Sequence, residues 1–323
     1  MRMKIKKNVA IAGLALLCIV FALNSKAPAA NPPSNADELV AQHLDSIGSA
    51  TVRAGIKTRV VQGPVEFKIL VGGAGTLDGK AQMAWEGKKL VFMMKLPNIE
   101  YRGEQFVFDG DKDKVAFSTA HQTRSSLGDF IFVQDAAIRE GLLGGALSTA
   151  WPLLNLNDRK AKLSLEGLKK IDGQELYEVR YRPHKNSDLD IKLYFDPQTY
   201  RHVETIYSYS SSERFAGMGP STAVGNLPSP GSNTAADISA TGSSQGAGGT
   251  AETAGARQLP NRYRLQEKFS DFKTVDGVTL PTHYDIQFSQ ELQNGRTTLN
   301  DWDMKGIEVS SNVPVDPRNF EVK

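Results

Sequence analysis

Short apolar segments separated by Gly or Asp-Gly recur over residues 60–119 and again after residue 161, and this pattern constrains the fold more than any other feature. Within residues 65–69 apolar and polar side chains alternate strictly, which is typical of a strand with one buried face. Residues 77–80 and 86–89 predict hairpin turns between such strands. Because helical patterns do not alternate with the strands, we expect about eleven antiparallel strands in an α+β fold.

A helix is predicted ahead of the first strand. Asn35 is suited to cap its first turn, and Val40, Leu44 and Ile47 then form one apolar stripe at helical spacing. His43 lies beside that stripe. We interpret it as a packed helix residue rather than as a ligand.

One predicted strand is apolar on both faces. Residues 90–96 are all apolar except Lys95, and residues 106–108 repeat the pattern. A strand of this kind is either covered on both sides or lines a cavity on one of them. Both interpretations remain open at this point.

The strand pattern is interrupted between residues 130 and 156, where the sequence is very apolar and predicts one or two short helices. Gly141, Gly144 and Gly145 weaken these helices, because each glycine costs up to about 1 kcal/mol relative to alanine. Two interpretations fit equally well. The segment is either a movable cover over an apolar pocket or a core helix with small residues at close contacts.

The first 29 residues are typical of a signal peptide. Basic residues precede an apolar run of fifteen residues, which is short for a membrane span, and small residues follow. We expect cleavage between Ala29 and Ala30, with an uncleaved N-terminal anchor as the alternative. The predicted mature protein is soluble and periplasmic.

Removal of residues 1–29 changes the electrostatic character of the chain. Lys+Arg falls from 38 to 33 against 36 Asp+Glu, so the formal net charge of +2 becomes −3. This balance does not favour nucleic acid as a partner. The cut also removes Cys18, the single cysteine, and with it any disulfide or thiolate chemistry.

Residues 216–257 differ in composition from the rest of the chain. Of these 42 residues, 32 are Gly, Ala, Ser, Thr or Pro, and none is aromatic. Such a segment buries too little surface to offset its ordering entropy, so we predict a disordered loop. We expect it to be an insertion within one domain formed by residues 30–215 and 258–323. The alternative is a linker between two domains.

Sequence motifs for catalysis or metal binding are weak. The histidines at positions 43, 121, 184, 202 and 283 share no helical or strand spacing typical of a metal site, and no nucleophile elbow occurs. We therefore predict a protein that is not an enzyme and that has no cofactor and no metal. A hydrolase whose site assembles only in the fold remains an alternative.

Several turn motifs occur in an order that resembles a known family, the bacterial outer-membrane lipoprotein-sorting proteins of the LolA/LolB-like superfamily. The likeness covers essentially the whole chain after residue 29 apart from residues 216–257. The motifs are Ile47-Gly48, Ile56-Lys57-Thr58-Arg59, Tyr101-Arg102-Gly103-Glu104, Phe108-Asp109-Gly110, Lys170-Ile171-Asp172-Gly173, Tyr194-Phe195-Asp196-Pro197-Gln198-Thr199, Val275-Asp276-Gly277-Val278-Thr279-Leu280-Pro281 and Asp316-Pro317-Arg318-Asn319-Phe320.

The resemblance implies an unclosed, strongly curved antiparallel sheet, or half-barrel, with helices plugging its concave face. An apolar cavity between sheet and helices would take acyl chains. Carriers of this family have an Arg-Pro pair on an inner strand that helps to hold the cover. The nearest counterpart in this chain is Leu96-Pro97, preceded by Lys95.

The predicted function is that of a non-catalytic periplasmic carrier or binding protein for a lipid, an acyl chain or a lipoprotein. The alternative is an envelope sensor or regulator that binds a membrane-anchored partner on the same scaffold. The predicted cavity has a sheet side and a cover side. The sheet side comprises Phe67, Ile69, Trp85, Phe92, Met94, Phe106 and Phe108, and the cover comprises Leu142, Leu143, Leu147 and Trp151.

Overall fold

A computed structural model describes residues 32–116, 124–185, 187–211 and 260–322. The strands are β1 (Thr58–Val71), β2 (Gly75–Glu86), β3 (Lys89–Lys95), β4 (Gly103–Phe108), β5 (Asp113–Val115), β6 (Lys162–Ile171), β7 (Gln174–Arg182), β8 (Asp190–Phe195), β9 (His202–Ser211), β10 (Asn261–Val275), β11 (Val278–Glu291), β12 (Thr297–Lys305) and β13 (Glu308–Ser311). The α-helices are α1 (Ala36–Ile47), α2 (Ala50–Gly55), α3 (Ser126–Val133), α4 (Ala136–Arg139) and α5 (Leu156–Arg159). Three 3₁₀ helices cover Gly145–Leu147, Pro152–Asn155 and Pro317–Phe320.

All thirteen strands belong to one antiparallel sheet, which confirms the predicted fold class. The strand order is β5-β4-β3-β2-β1-β12-β11-β10-β9-β8-β7-β6, and β13 pairs with β1. The sheet therefore consists of two meanders, β1 to β5 and β6 to β12, joined where β1 pairs with β12. Strands β5 and β6 lie at its two ends, so the sheet is unclosed.

This topology determines where the middle of the chain must run. The chain leaves β5 at one end of the sheet and enters β6 at the other, so the connection has to cross the sheet. We call residues 124–161 the crossing segment. It contains α3, α4, α5 and two of the 3₁₀ helices.

The sheet curves around the crossing segment, because this short stretch contacts strands far apart in the strand order. Arg139 pairs with Asp113 of β5, and the Glu140 carboxylate accepts a hydrogen bond of 2.7 Å from the Tyr181 hydroxyl of β7. The Phe130 ring packs 5.2 Å from the ring of Phe288 in β11, near the middle of the sheet. The architecture is the curved half-barrel with helices on its concave face.

Two details of strand and turn placement differ from the predictions. The expected hairpin at residues 77–80 is wrong, because these residues lie inside β2, and the turn occurs instead at residues 72–74. Gly79 serves a close contact rather than a turn, since a Cβ there would lie 2.2 Å from the Lys95 carbonyl oxygen. The hairpin at residues 86–89 is confirmed, with Gly87 at a φ of +56°.

The strand count of thirteen exceeds the expected eleven. Strands β5 and β13 contain only three and four residues, too few to show an alternating pattern in the sequence.

Helix α1 has the predicted cap and apolar stripe. The Asn35 side chain accepts the Glu38 backbone N–H at 2.9 Å, and the helix buries Leu39, Val40 and Ile47 against the sheet. His43 is also buried, as expected for a packed helix residue. Among the described residues, no helix is long and apolar enough to cross a bilayer.

Two predictions concern residues that the structure does not describe. The signal peptide, 1–29, and the loop insertion, 216–257, both lie outside the described residues. Strands β9 and β10, which precede and follow the second of these segments, are direct neighbours that pair from Ser211 opposite Asn261 onwards.

Candidate functional site

The predicted cavity residues belong to one hydrophobic cluster between the concave face and the crossing segment. On the sheet side they lie on β1, β2, β3 and β4, and all are buried except Ile69, which is half-buried and packs against the cluster. On the other side, Leu142, Leu143, Leu147 and Trp151 are buried in the same cluster. The structure thus brings the two predicted sets into one apolar layer. Their role in holding a ligand remains a prediction.

Contact between the two sides is close at the centre of this layer. A Cβ on Gly144 would lie 2.9 Å from Cζ2 of the Trp85 ring, and one on Gly145 would lie 2.9 Å from the Phe269 ring. Both glycines have positive φ, +85° and +52°. Glycine is required here because the backbone of the crossing segment lies directly on the aromatic rings of the sheet.

A narrow cleft opens beside the cluster at one end of the half-barrel. Phe67 and Ile69 line it together with Tyr101, Leu127 and Trp302, and its free volume is about 20 Å³. That volume suffices for a single water molecule. The cleft is therefore too small to hold an acyl chain in this structure.

Two other predicted lining residues, although buried, border grooves on the surface. Met94 lines a groove of about 520 Å³ near the end of β3, where Ile99 is 71% exposed. Phe108 lines a second cleft of about 570 Å³, between the crossing segment and the loop after β7.

Arg59 of β1 fastens the crossing segment to the sheet from within. It is 4% exposed, and its Nη1 donates to the backbone oxygens of Ala146 and Leu147 at 2.9 and 3.0 Å. Burial lowers the pKa of its guanidinium to about 10, so it keeps its charge at neutral pH. Two charge-assisted hydrogen bonds to backbone oxygens make a strong but separable contact.

Arg59 holds the crossing segment at a position that the sequence analysis did not single out. Lys95, which precedes the Leu96-Pro97 counterpart of the family's Arg-Pro pair, is exposed. The signal that identifies Arg59 was present in the sequence. Arg59 and the buried Val61 are two residues apart in β1 and so share a face, which predicts an inward charge.

Glu267 of β10 is the second anchor and is fully buried. Its Oε1 accepts the Gly144 backbone N–H at 2.7 Å and a hydrogen bond from the Tyr284 hydroxyl, and its Oε2 accepts the Tyr207 hydroxyl at 2.6 Å. Burial raises the pKa of the Glu267 carboxyl to about 7, against the opposing effect of these hydrogen bonds. A group with this pKa changes charge near neutral pH.

A third anchor joins the crossing segment to α1. The Trp151 Nε1–H donates to Nε2 of His43 at 3.0 Å, and Nδ1 of His43 lies 3.0 Å from the Tyr200 carbonyl oxygen. Burial lowers the pKa of His43 to about 4, so the ring is neutral at pH 7. The accepting Nε2 assigns the proton to Nδ1, which donates to Tyr200.

A buried polar chain lies at the base of the narrow cleft. Trp302 Nε1 donates to the Tyr101 hydroxyl at 2.8 Å, and that hydroxyl donates to Oε1 of Glu104 at 2.6 Å. Burial raises the pKa of Glu104 to about 7 and that of Asp129, on α3, to about 6. The sequence analysis did not single out Glu104 or Asp129 as buried carboxyl groups.

Two kinds of catalytic site can be looked for among the described residues, a metal site and a Ser-His-Asp arrangement. Within the described residues no group of three or more His, Cys, Asp or Glu side chains is placed to hold a metal ion. A Ser-His-Asp contact chain lies on the outer face of the sheet, with Ser270 Oγ 2.9 Å from His283 Nδ1 and His283 Nε2 2.7 Å from Asp303 Oδ1. The clefts described above are lined by other residues. The hydrolase alternative therefore has a nucleophile and a base, on a face away from those clefts.

The chain is similar to several solved structures but has no match among protein families or curated sequences. Among solved structures, it is similar to a LolA superfamily protein of Nitrosomonas europaea, with 13% identity and a TM-score of 0.42 over 90% of this chain and 99% of that chain. A DUF1329 family protein of Desulfovibrio piger has 12% identity and a TM-score of 0.42, over 88% of this chain and 95% of that chain. A chain of the MucA/MucB complex of Pseudomonas aeruginosa has 9% identity and a TM-score of 0.20, over 84% of this chain and 98% of that chain.

Proposed function

We propose that the protein, after removal of residues 1–29, is a non-catalytic periplasmic carrier that shelters an acyl chain of a lipid or lipoprotein under the crossing segment. The observation that supports it best is the construction of this segment. It covers an apolar layer of the concave face and is fastened there by separable polar anchors at Arg59, Glu267 and His43.

Binding requires the crossing segment to move. Ligand pockets measure about 300–1,000 Å³, whereas the narrow cleft has about 20 Å³ of free volume. Gly141, Gly144 and Gly145, all at positive φ, provide positions where the backbone turns sharply. Lifting the segment from the sheet would join the cleft at Phe67 to the apolar layer beneath Leu142 and Trp151.

Ligand uptake tests the proposal directly. Native mass spectrometry of protein purified from the periplasm is expected to show co-purifying lipid, and delipidated protein is expected to take up a fluorescent fatty acid. Arg59→Gln should accelerate uptake and release at least several-fold, because it removes the charge that holds Ala146 and Leu147. A protein without co-purifying lipid and without uptake contradicts the proposal.

A matched control separates loss of the anchor from loss of a charge. Arg262→Gln removes a guanidinium from the exposed start of β10, where Arg262 lies 3.7 Å from Glu291 in a surface ion pair. Such pairs contribute about 0–1 kcal/mol. Uptake rates of this variant should equal those of the wild type. Thermal unfolding of both variants confirms that each is folded at the assay temperature.

The two alternatives from the sequence stay predictions with their own tests. The regulator alternative expects capture of a membrane-anchored partner that is lost when residues 217–257 are deleted. The hydrolase alternative expects turnover of p-nitrophenyl butyrate that is abolished by Ser270→Ala. We expect neither, and turnover dependent on Ser270 would contradict a non-catalytic carrier.

A further inference from the structure

A basic cleft lies on the surface where the crossing segment enters β6. It has a volume of about 560 Å³ and is formed by the start of β6, the end of β7, the loop after β7 and the start of β8. Four of its lining residues are Lys or Arg, at positions 160, 162, 180 and 182, and two are Asp, at positions 188 and 190. The predicted mature chain carries a net negative charge, so this excess of cations is local.

The register of the sheet places two of these cations directly opposite each other. Lys162 of β6 and Arg182 of β7 are Cα partners in the antiparallel pair. Both side chains are exposed and on the same face. Like charges in directly opposed cross-strand positions repel and destabilise a sheet.

A second pair of directly opposed cations, between β7 and β8, is neutralised by carboxylates. Arg180 of β7 and Lys192 of β8 are also Cα partners. There, Arg180 Nε lies 3.2 Å from Asp190, and Lys192 Nζ lies 3.2 Å from Glu178. Each cation of this pair therefore has its own carboxylate.

Lys162 and Arg182 lack this compensation within the described part of the chain. None of its ion pairs involves either residue, and none involves Lys160, which adjoins them at the edge of the cleft. One guanidinium and two ammonium groups thus line the cleft without an ion pair, and of the two carboxylates there, Asp190 is paired with Arg180. A guanidinium binds phosphate through two parallel hydrogen bonds, and lysine adds a point charge.

The cleft also adjoins the proposed acyl-chain site. Tyr181, which lines the cleft, donates its hydroxyl to Glu140 of the crossing segment. Arg159, immediately before Lys160, donates to the backbone oxygens of Arg139 and Ala150 at 3.1 and 2.9 Å. Arg182 follows the inward-facing Tyr181 and so points, with its partner Lys162, to the outer face of the sheet. Because β6 is the edge strand, a ligand lying under the crossing segment would reach these cations by passing its polar head around that edge.

We propose that Lys160, Lys162 and Arg182 form a binding site for a phosphate group, and that this group is the head of the lipid whose chain the crossing segment covers. The second part rests on the proposed carrier function, and the first does not. The site would favour phosphate-bearing lipids over neutral ones of the same chain length.

Calorimetric titration of the delipidated mature protein with matched ligands tests the proposal. Lysophosphatidylglycerol should bind the Lys162→Gln/Arg182→Gln variant at least tenfold more weakly than the wild type, while a monoacylglycerol of equal chain length should bind both equally. The control is Lys169→Gln/Lys170→Gln, which removes two exposed lysines from the other end of β6. It should leave both affinities unchanged.

A second measurement distinguishes the source of the phosphate and the failure of each proposal. Inorganic phosphate, compared with chloride at equal ionic strength, should raise the melting temperature of the wild type and not that of Lys162→Gln/Arg182→Gln. If phosphate stabilises the wild type but no lipid binds, the phosphate site stands and the carrier fails. If monoacylglycerol binds, but the binding of lysophosphatidylglycerol and of inorganic phosphate does not depend on Lys162 and Arg182, the phosphate site is wrong and the carrier stands. An equal loss of affinity for lysophosphatidylglycerol in the control variant, Lys169→Gln/Lys170→Gln, would also overturn the phosphate site.

Discussion

Glu267 makes the unfolding free energy of the protein dependent on pH, and the substitution Glu267→Gln should remove this dependence. Its carboxyl group accepts the Gly144 backbone N–H and the hydroxyls of Tyr207 and Tyr284 in a fully buried position. Glu267→Gln keeps the shape and one carbonyl oxygen, and the Tyr207 hydroxyl can rotate to accept from the new amide. The variant therefore retains the anchor and loses the titration.

The size of the effect follows from the pKa. Burial raises the pKa of Glu267 from 4.5 to about 7, so the native state binds this proton more tightly than the unfolded chain does. The associated stability is fully present below pH 4.5 and is lost as the pH rises through 7. A difference of this size corresponds to about 3 kcal/mol of unfolding free energy at pH 7.5.

Urea unfolding of wild type and Glu267→Gln at pH 4.5 and 7.5 measures this term. Glu104, Asp129 and Asp285 also have raised pKa values, about 7, 6 and 8, and contribute to the wild-type pH profile in the same sense. They are unchanged in the variant, so the difference between the two proteins isolates Glu267. The variant should gain about 3 kcal/mol relative to the wild type between the two pH values.

A constant difference between the two proteins across this range would refute the reasoning, because Glu267 would then not titrate in the window. Glu175→Gln is the matched control, since Glu175 is an exposed glutamate on β7. Its unfolding free energy should follow that of the wild type at both pH values.

Two further substitutions test how the crossing segment is held. Gly144→Ala should cost about 1–3 kcal/mol more than Gly173→Ala, because both positions have φ near +85° but only at Gly144 would a Cβ overlap a neighbour, the Trp85 ring; equal urea midpoints for the two variants would contradict the close contact. Trp151→Phe should lower the unfolding free energy by about 1–3 kcal/mol by leaving buried Nε2 of His43 without its donor, and an unchanged melting temperature would show that this anchor contributes nothing.

The fold class could be predicted because strand alternation and the absence of β-α-β order are local signals. The close approach of Gly79 to Lys95 could not be predicted, because it depends on the distance between β2 and the end of β3. A glycine preceded by aspartate has the same sequence signature in a hairpin and in a strand with a close neighbour. Only the register, with Gly79 opposite Val65, distinguishes them.

The apolar members of the site were predictable from their residue types, whereas the hydrogen-bond partners of its polar anchors were not. Leu265 and Phe269 lie two residues before and after Glu267, so the alternation places Glu267 on the apolar face of β10. The sequence does not show which groups Glu267 contacts there. Its role arises from two tyrosines on other strands and from a backbone N–H 123 residues away.

The anchors also predict which acyl chains the proposed carrier accepts. Opening breaks the two hydrogen bonds of Arg59, the bond from Gly144 to Glu267 and the bond from Trp151 to His43. At about 1.5–3 kcal/mol for each charged bond and about 1 kcal/mol for each of the others, opening costs roughly 5–8 kcal/mol. Burial of each methylene contributes about 0.8 kcal/mol. A chain of 16 carbons therefore gains about 12 kcal/mol, well above this cost, whereas one of 8 carbons gains about 6 kcal/mol and only balances it. Calorimetric titration should therefore detect the long fatty acid and not the short one, and equal affinities would mean that the crossing segment does not have to open.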